Sequence, residues 1–279
     1  MPTPSVQGCI YSASCVVSIP PFNSLPYSTD RKHTLNHDKL FSRPLADIAG
    51  FKFDADVVAV FPDMIQRSVP GYETIIAMTG TLAGRYAQPQ SSCYDLGCSL
   101  GASTLAMAQH IQVPDCSIVA IDNAPAMIEH CATILAHEQS DTAVELICAD
   151  LLDLPLESPL DNASMVVLNF TLQFLPPEAR SALMQRIYDA LLPGGILILS
   201  EKIAFADAHL NQLMIELHHS FKRANGYSEL EVAQKRSALE NVLIPETLDQ
   251  HRQRLSSVGF NSIDIWFQCF NFASLLAIK

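Results

Sequence analysis

The sequence predicts an α/β domain, a mostly parallel β-sheet with helices packed on both faces. Three observations carry that expectation. Between residues 92 and 200, apolar runs of strand length alternate with helix-length stretches, the pattern of parallel strands joined by right-handed crossovers. The first run leads into residues 94–101 (YDLGCSLG), where Gly97 and Gly101 bracket a tight loop ahead of a helical stretch. Such loops bring backbone up to a ligand at a helix N-terminus. The next run ends in Asp122, about twenty positions further on, where a strand-end carboxylate accepts hydrogen bonds from a ribose diol. Together these features point to a nucleoside-bearing ligand. The spacing is not the G-x-G-x-x-G of nicotinamide enzymes, because Asp95 comes first, Gly97 next, and Ser99 stands where a second loop glycine is common.

Residues 1–39 are rich in Ser, Pro and small residues and show no sustained period. They read as a poorly ordered N-terminal extension or the product of an upstream start. The first cation is Arg31, so the stretch lacks the basic beginning of a secretory signal. Residues 56–68 and 71–84 read as two helices separated by Val69-Pro70-Gly71. Strands are expected near 92–96, 117–121, 144–148, 165–168 and 196–200, with helices at 102–110, 125–135 and 178–191. In the last of these, Leu183, Ile187 and Leu191 repeat every four residues as one apolar stripe. Pro193-Gly194-Gly195 is the expected breaker before the next strand. The alternation then lapses. Residues 208–223, 228–242 and 245–258 read as helices, and 262–268 and 273–279 as a closing pair of strands. The domain is therefore expected to span 40–279, with a helical insertion at about 206–243 lying over the strand ends as a lid.

Composition narrows the function. A hydrophobic content of 49% and a charged content of 16% suit one large α/β domain with a substantial core. No apolar run approaches the roughly 18 residues of a membrane helix. The formal charge of −12 argues against a direct grip on nucleic acid, since phosphate neutralisation drives that binding. Of the eight cysteines, Cys93, Cys98, Cys116, Cys131, Cys148 and Cys269 lie in or beside apolar runs, where thiols act as small hydrophobes. No CxxC pair occurs, and a reducing cytoplasm fits best.

Ligands of such sheets bind at the carboxyl ends of the strands. The loops there deliver Gly97, Cys98 and Ser99, then Asp122 and Asn123, then Asp150 and Leu151, then Asn169. Ser99 can donate to a ligand carboxylate and cap the following helix. Asp122 can serve a ribose, cap the helix that starts at Pro125, or do both. Asp150 is placed for an adenine amine, and Asn169 for a ligand contact or a strand-end cap. Tyr72 is equally a core aromatic or a cavity aromatic on this reading. His218 and His219 cannot share one helix face, which argues against a metal site built on the pair. Arg223, Lys235 and Arg236 are either solvated surface or an anion clamp on the lid, since Arg meets a carboxylate bidentately.

The glycine motif resembles motif I of class I S-adenosylmethionine-dependent methyltransferases, with Asp122 as the ribose ligand of motif II. Longer strings are more specific. Residues 61–72 (FPDMIQRSVPGY), 169–175 (NFTLQFL), 221–231 (FKRANGYSELE) and 266–272 (WFQCFNF) closely resemble the carboxy-S-adenosyl-L-methionine synthase family from about residue 40 to the C-terminus. The resemblance implies a Rossmann-like class I methyltransferase domain with a seven-stranded sheet, forming homodimers. It implies that S-adenosyl-L-methionine and prephenate become carboxy-S-adenosyl-L-methionine and phenylpyruvate. A separate tRNA carboxymethyltransferase then uses the product on wobble uridine. Carried over residue by residue, it implies ligand contacts from Tyr72, Gly97, Cys98, Ser99, Asp122, Asn123, Asp150, Leu151, Asn169 and Arg236. Two departures stand out: the N-terminal tail has no counterpart, and residues 154–161 form a slightly longer stretch. No metal and no catalytic base are implied, and Arg236 is the expected partner of the new carboxylate. The rival expectations are an ordinary methyltransferase acting on a small molecule or tRNA, and a non-catalytic nucleotide-binding partner of a tRNA-modifying enzyme.

Overall fold

Alternate residues of the apolar runs face opposite sides of one sheet, and both sides are buried. In the computed structural model, residues 15–18, 37–43, 55–138, 140–154, 160–239 and 242–279 are described. In chain order the elements begin with β1 (Cys15–Ser18), α1 (Ala55–Ser68), α2 (Tyr72–Tyr86), β2 (Ser92–Leu96), α3 (Ala102–Ala108) and β3 (Ser117–Asp122). They continue with α4 (Pro125–His137), β4 (Ala143–Cys148), β5 (Ala163–Asn169), α5 (Pro177–Ala190) and β6 (Leu191–Ala204). The chain closes with α6 (Ala208–Ala224), α7 (Glu229–Leu239), β7 (Glu246–Thr247), α8 (Leu248–Val258), β8 (Ser262–Cys269) and β9 (Phe272–Ile278). The sheet runs β4-β3-β2-β5-β6-β9-β8. Its first five strands are parallel, β9 runs antiparallel to β6, and β8 pairs antiparallel with β9 and so runs with the first five. These are the seven strands expected. β1, from the segment read as a poorly ordered tail, pairs antiparallel with β4 at the edge, and the two-residue β7 pairs with β6. Residues 37–39 of the same segment are also described, and Asp38 is buried rather than loose. Residues 1–14 and 19–36 of the tail, residues 155–159 of the longer stretch at 154–161 and residues 240–241 of the insertion lie outside the described residues.

The period-two alternation of strands builds two cores. Leu96, Val119, Ile121, Val166 and Leu197 pack with Leu183, Met184 and Ile187 of α5 and Leu255 of α8. On the other face, Cys93, Ile118, Ala120, Met165 and Ile196 pack with Ala83 of α2, Met107 of α3 and Cys131 of α4. A sheet covered on both faces explains why the central strands read as near-continuous apolar runs.

Several boundaries differ from expectation: α3 ends at Ala108 and α7 at Leu239, each short of the stretch expected. α5 stops at Ala190, and β6 begins at Leu191, paired with Ala163, so the Pro-Gly-Gly stretch lies within the strand's first residues rather than ending the helix. There Gly194 adopts a φ of 76° and donates to the Lys279 carbonyl at 2.9 Å. β6 also runs past Ser200 to Ala204 because β9 continues to pair with it through Lys202–Phe272. The helix expected from 245 begins instead at Leu248, capped by a reciprocal Thr247–Gln250 box.

The insertion folds as α6 and α7, and its residues line the cavity over the strand ends. Asp207 caps α6 by accepting from the Leu210 amide at 2.7 Å. Segment 37–43 fastens α7 from outside. Buried Asp38 accepts from the Tyr227 hydroxyl at 2.5 Å and from Lys235 Nζ at 3.2 Å. Gln234 donates to the carbonyls of Phe41 and Arg43, each at 2.9 Å. Among the described residues, no helix is long and apolar enough to cross a membrane.

Candidate active site

The carboxyl ends of the parallel strands, the start of α2 and the lid enclose a cavity of about 730 Å³, within the range of small-molecule sites. The glycine loop forms its floor. Gly97 has a φ of 82°, and a Cβ there would run into the Thr171 side chain, so only glycine fits. The loop does not present a row of free donors. The Gly97 and Cys98 amides donate to the Ile121 carbonyl at 2.8 and 2.9 Å, and the Ser99 amide donates to Asp122 Oδ2 at 2.9 Å. What the loop offers is close backbone approach. Ser99, at a φ of 50°, does not cap α3. That place belongs to Gly101, and the Ser99 hydroxyl points to Met127 Sδ at 3.4 Å.

Asp122 clasps two loops. Its second oxygen accepts from the Ala124 amide at 2.9 Å, and each oxygen keeps a further acceptor site. Burial raises its pKa while the two backbone N–H bonds oppose that shift. The N-cap of α4 itself is Ala124. Beside Asp122, Asn123 Nδ2 donates to Asp150 Oδ2 at 3.3 Å, and Asp150 Oδ1 receives the Leu152 amide at 2.9 Å. Buried Leu151 adds apolar wall. Asn169 also lines the cavity, yet its amide is committed: it donates to Ser103 Oγ at 2.8 Å and accepts from Ser200 Oγ at 2.6 Å. Tyr72 resolves to the cavity, 6.3 Å from the Phe170 ring, and burial pushes its phenol well above the usual range. Arg236 reaches the same cavity from α7 as an exposed residue. The structure thus brings all ten sequence-named residues to one cavity.

Several cavity residues escaped the sequence reading. Phe170, at a φ of 62°, holds an uncommon backbone conformation directly after Asn169. Lys202, from the end of β6, and Lys222, from the last turn of α6, also line the cavity. The missed signal for Lys202 was a pair of charges, Glu201 and Lys202, continuing an apolar strand. Lys235, which the sequence leaves as solvated surface or anion clamp, is 4% exposed and held by Asp38, Ser68 and Tyr227. His218 has its Nε2 2.8 Å from the Ser68 carbonyl, and burial pushes its pKa down to about 3, so it is a neutral donor. The cavity is therefore electrically divided: carboxylates at the ends of β3 and β4, cations at the end of β6 and on the lid.

Comparison with known proteins places this arrangement. A family profile described as "Methyltransferase domain" matches residues 94–195. Two solved structures share the fold. One is a putative O-methyltransferase from Nostoc punctiforme, with a TM-score of 0.56 at 15% identity, covering 81% of this chain and 59% of that one. The other is human N-acetylserotonin methyltransferase in complex with SAM, with a TM-score of 0.52 at 19% identity, covering 81% and 55%. Sequence relatives are far nearer. The chain is 63% identical over 247 residues to the carboxy-S-adenosyl-L-methionine synthase of Trichlorobacter lovleyi, covering 88% of this chain and all of that protein. To the protein of the same name from Aliivibrio salmonicida it is 56% identical over 244 residues, covering 88% and 99%. With near-complete coverage of such relatives, and with the residues of the resemblance gathered around one cavity, this chain belongs to the carboxy-S-adenosyl-L-methionine synthase family.

Proposed function

We propose that this protein converts S-adenosyl-L-methionine and prephenate to carboxy-S-adenosyl-L-methionine and phenylpyruvate. Beside family membership, one observation carries the reading: in a chain of net charge −12, cations converge on the cavity. A methyl transfer has no need of them, whereas a reaction that consumes a dicarboxylate and creates a carboxylate on the former methyl carbon does. At the other end, Asp122 keeps acceptor sites for a ribose diol, Asp150 for an adenine amine, and Tyr72 with Leu151 supplies apolar wall.

The chain's own part is to bind, orient and keep water out. A sulfonium acidifies its methyl group, and loss of that proton gives a carbon nucleophile. Prephenate supplies carbon dioxide and loses water as its ring becomes aromatic. The lid closes the reacting carbon away from water, which would otherwise return the proton. Arg236 is the cation for the new carboxylate, because a guanidinium stays protonated and offers a two-bond fork. The same reading includes a homodimer. The exposed residues Leu210, Leu213 and Leu217 of α6 form an i, i+3, i+7 stripe suited to a second copy. It also includes a separate tRNA carboxymethyltransferase as consumer of the product, with no tight grip on tRNA by this acidic chain.

Mass spectrometry of the ligand extracted from purified protein tests this. A species equal to S-adenosylmethionine with one hydrogen replaced by a carboxyl group is expected. Extraction of S-adenosylhomocysteine alone supports the methyltransferase reading instead.

A further inference from the structure

We infer that Lys202 and Lys222 anchor the carboxylate that the second substrate keeps, while Arg236 receives the one it gives up. This rests on the proposed synthase reading and assigns two positioning residues within that site.

The cations around the cavity are not equivalent. Lys235 is neutralised: its ammonium lies 3.2 Å from Asp38 Oδ2, 3.2 Å from Ser68 Oγ and 3.3 Å from the Tyr227 hydroxyl. Lys222 is 6% exposed and lines the cavity, yet its ammonium has no hydrogen-bond or ion-pair partner among the described residues. Lys202 Nζ is likewise without a partner there. A buried, unpaired ammonium destabilises a fold, so its presence at a ligand cavity calls for an anion from outside. Burial, then repulsion from Lys235 and Lys202, pushes Lys222 down to about 7. Lys202 is lowered by burial and by Arg236. Arg236, Lys202 and Lys222 all line the same cavity of about 730 Å³, and Arg236 repels Lys202 as Lys202 repels Lys222.

The chemistry decides which carboxylate goes where. As the ring carboxylate leaves, its C–C bond breaks, the electron pair enters the ring and the ring hydroxyl departs with its C–O bond. The hydroxyl takes up the proton that the sulfonium methyl loses, giving water, and the methyl carbon bonds to the released carbon dioxide. A cation gripping the ring carboxylate would stabilise charge that the transition state disperses. An anchor belongs on the side-chain carboxylate, which is unchanged throughout. Such an anchor binds ground and transition states alike and therefore sets KM rather than kcat. Arg236, acting on charge that appears only as the new bond forms, sets kcat.

Lys222→Met and Lys202→Met keep the bulk of the side chain and remove its charge. Because the Lys222 amine is buried without a partner among the described residues, Lys222→Met is not expected to unfold the chain, and Lys202→Met is an independent second variant. Phenylpyruvate carries only the retained carboxylate and is the probe. Each variant should weaken phenylpyruvate binding and raise KM for prephenate by about tenfold or more, with kcat within about threefold and S-adenosylmethionine affinity unchanged. Calorimetry at pH 8 in buffers of different ionisation enthalpy adds a readout that a structural role would not move. Lys222 faces Lys202 on β6, Lys235 on α7, His218 on its own helix and Asp38 of segment 37–43. A bound carboxylate raises its pKa, so wild type should take up ~1 proton on binding phenylpyruvate and Lys222→Met should not. Unchanged phenylpyruvate affinity in both variants overturns the inference. So does weakened S-adenosylmethionine binding with phenylpyruvate binding intact, which would give the lysines to the amino-acid carboxylate. If wild type makes no carboxy-S-adenosylmethionine from prephenate, the synthase reading falls and takes this inference with it. If wild type turns over and the variants match it, only the lysine assignment falls.

Discussion

Asp122 and Arg236 answer for different parts of the same ligand, and mutation separates them. Asp122 is bound into the protein by the Ser99 and Ala124 amides, each at 2.9 Å, so it presents a fixed acceptor to whatever carries a ribose. Asp122→Ala should weaken S-adenosylmethionine and carboxy-S-adenosylmethionine alike, by about 1–3 kcal/mol each. Arg236→Ala should barely disturb S-adenosylmethionine but cost carboxy-S-adenosylmethionine about 1.5–3 kcal/mol, as for a hydrogen bond between charged groups. Titration of both ligands into both variants checks this, and equal losses in Arg236→Ala would leave that residue no carboxylate-specific role. Asp122 and Asp150 were legible because a polar residue ending an apolar strand is a local signal. Arg236 and Tyr72 needed the longer resemblance, since nothing nearby distinguishes them from surface or core. Lys202 and Lys222 were passed over. A charge after a strand ordinarily marks its exit to solvent, but β6 continues to Ala204 because β9 pairs with it.

The element that most shapes the site is the lid, and its fastening could not be read from local pattern. The lapse of strand signals after Ser200 announced α6 and α7, and both formed. The latch joins residues 189 and 197 positions apart, Asp38 to Tyr227 and Asp38 to Lys235, a separation at which periodicity is silent. Arg67 strengthens the joint from α1, donating to the Asn225 carbonyl at 2.7 Å and pairing with Asp63 at 3.0 Å. Asp63 in turn receives the Asp38 amide at 2.7 Å. Asp38→Ala leaves Lys235 buried beside Lys222 without its counter-ion. Breaking such a buried pair should cost about 3–5 kcal/mol, read as a lowered midpoint in urea. Asp38→Asn, which keeps the shape and a hydrogen-bond acceptor for Tyr227, should cost less. Equal stability of wild type and Asp38→Ala would show that segment 37–43 does not hold the lid.

At the scale of the whole molecule, the mostly parallel sheet with helices on both faces follows from strand–helix alternation, visible in the sequence from Ser92 onward, while the strand order came from the structure. The edge strand β1 was not, because a four-residue strand in a Ser- and Pro-rich segment is recognisable only once β4 is there to pair with it. Net charge pointed away from nucleic acid, but it could not show that the few cations collect at the ligand cavity. That collection is what sets the account apart from ordinary methyl transfer. The direct test is turnover of S-adenosylmethionine with prephenate labelled with carbon-13 only in its ring carboxylate. The account predicts that the label appears in the cofactor product, on the carbon attached to the former methyl group, with unlabelled phenylpyruvate released alongside it. An unlabelled carboxylated product, or S-adenosylhomocysteine as the sole cofactor product, would contradict it.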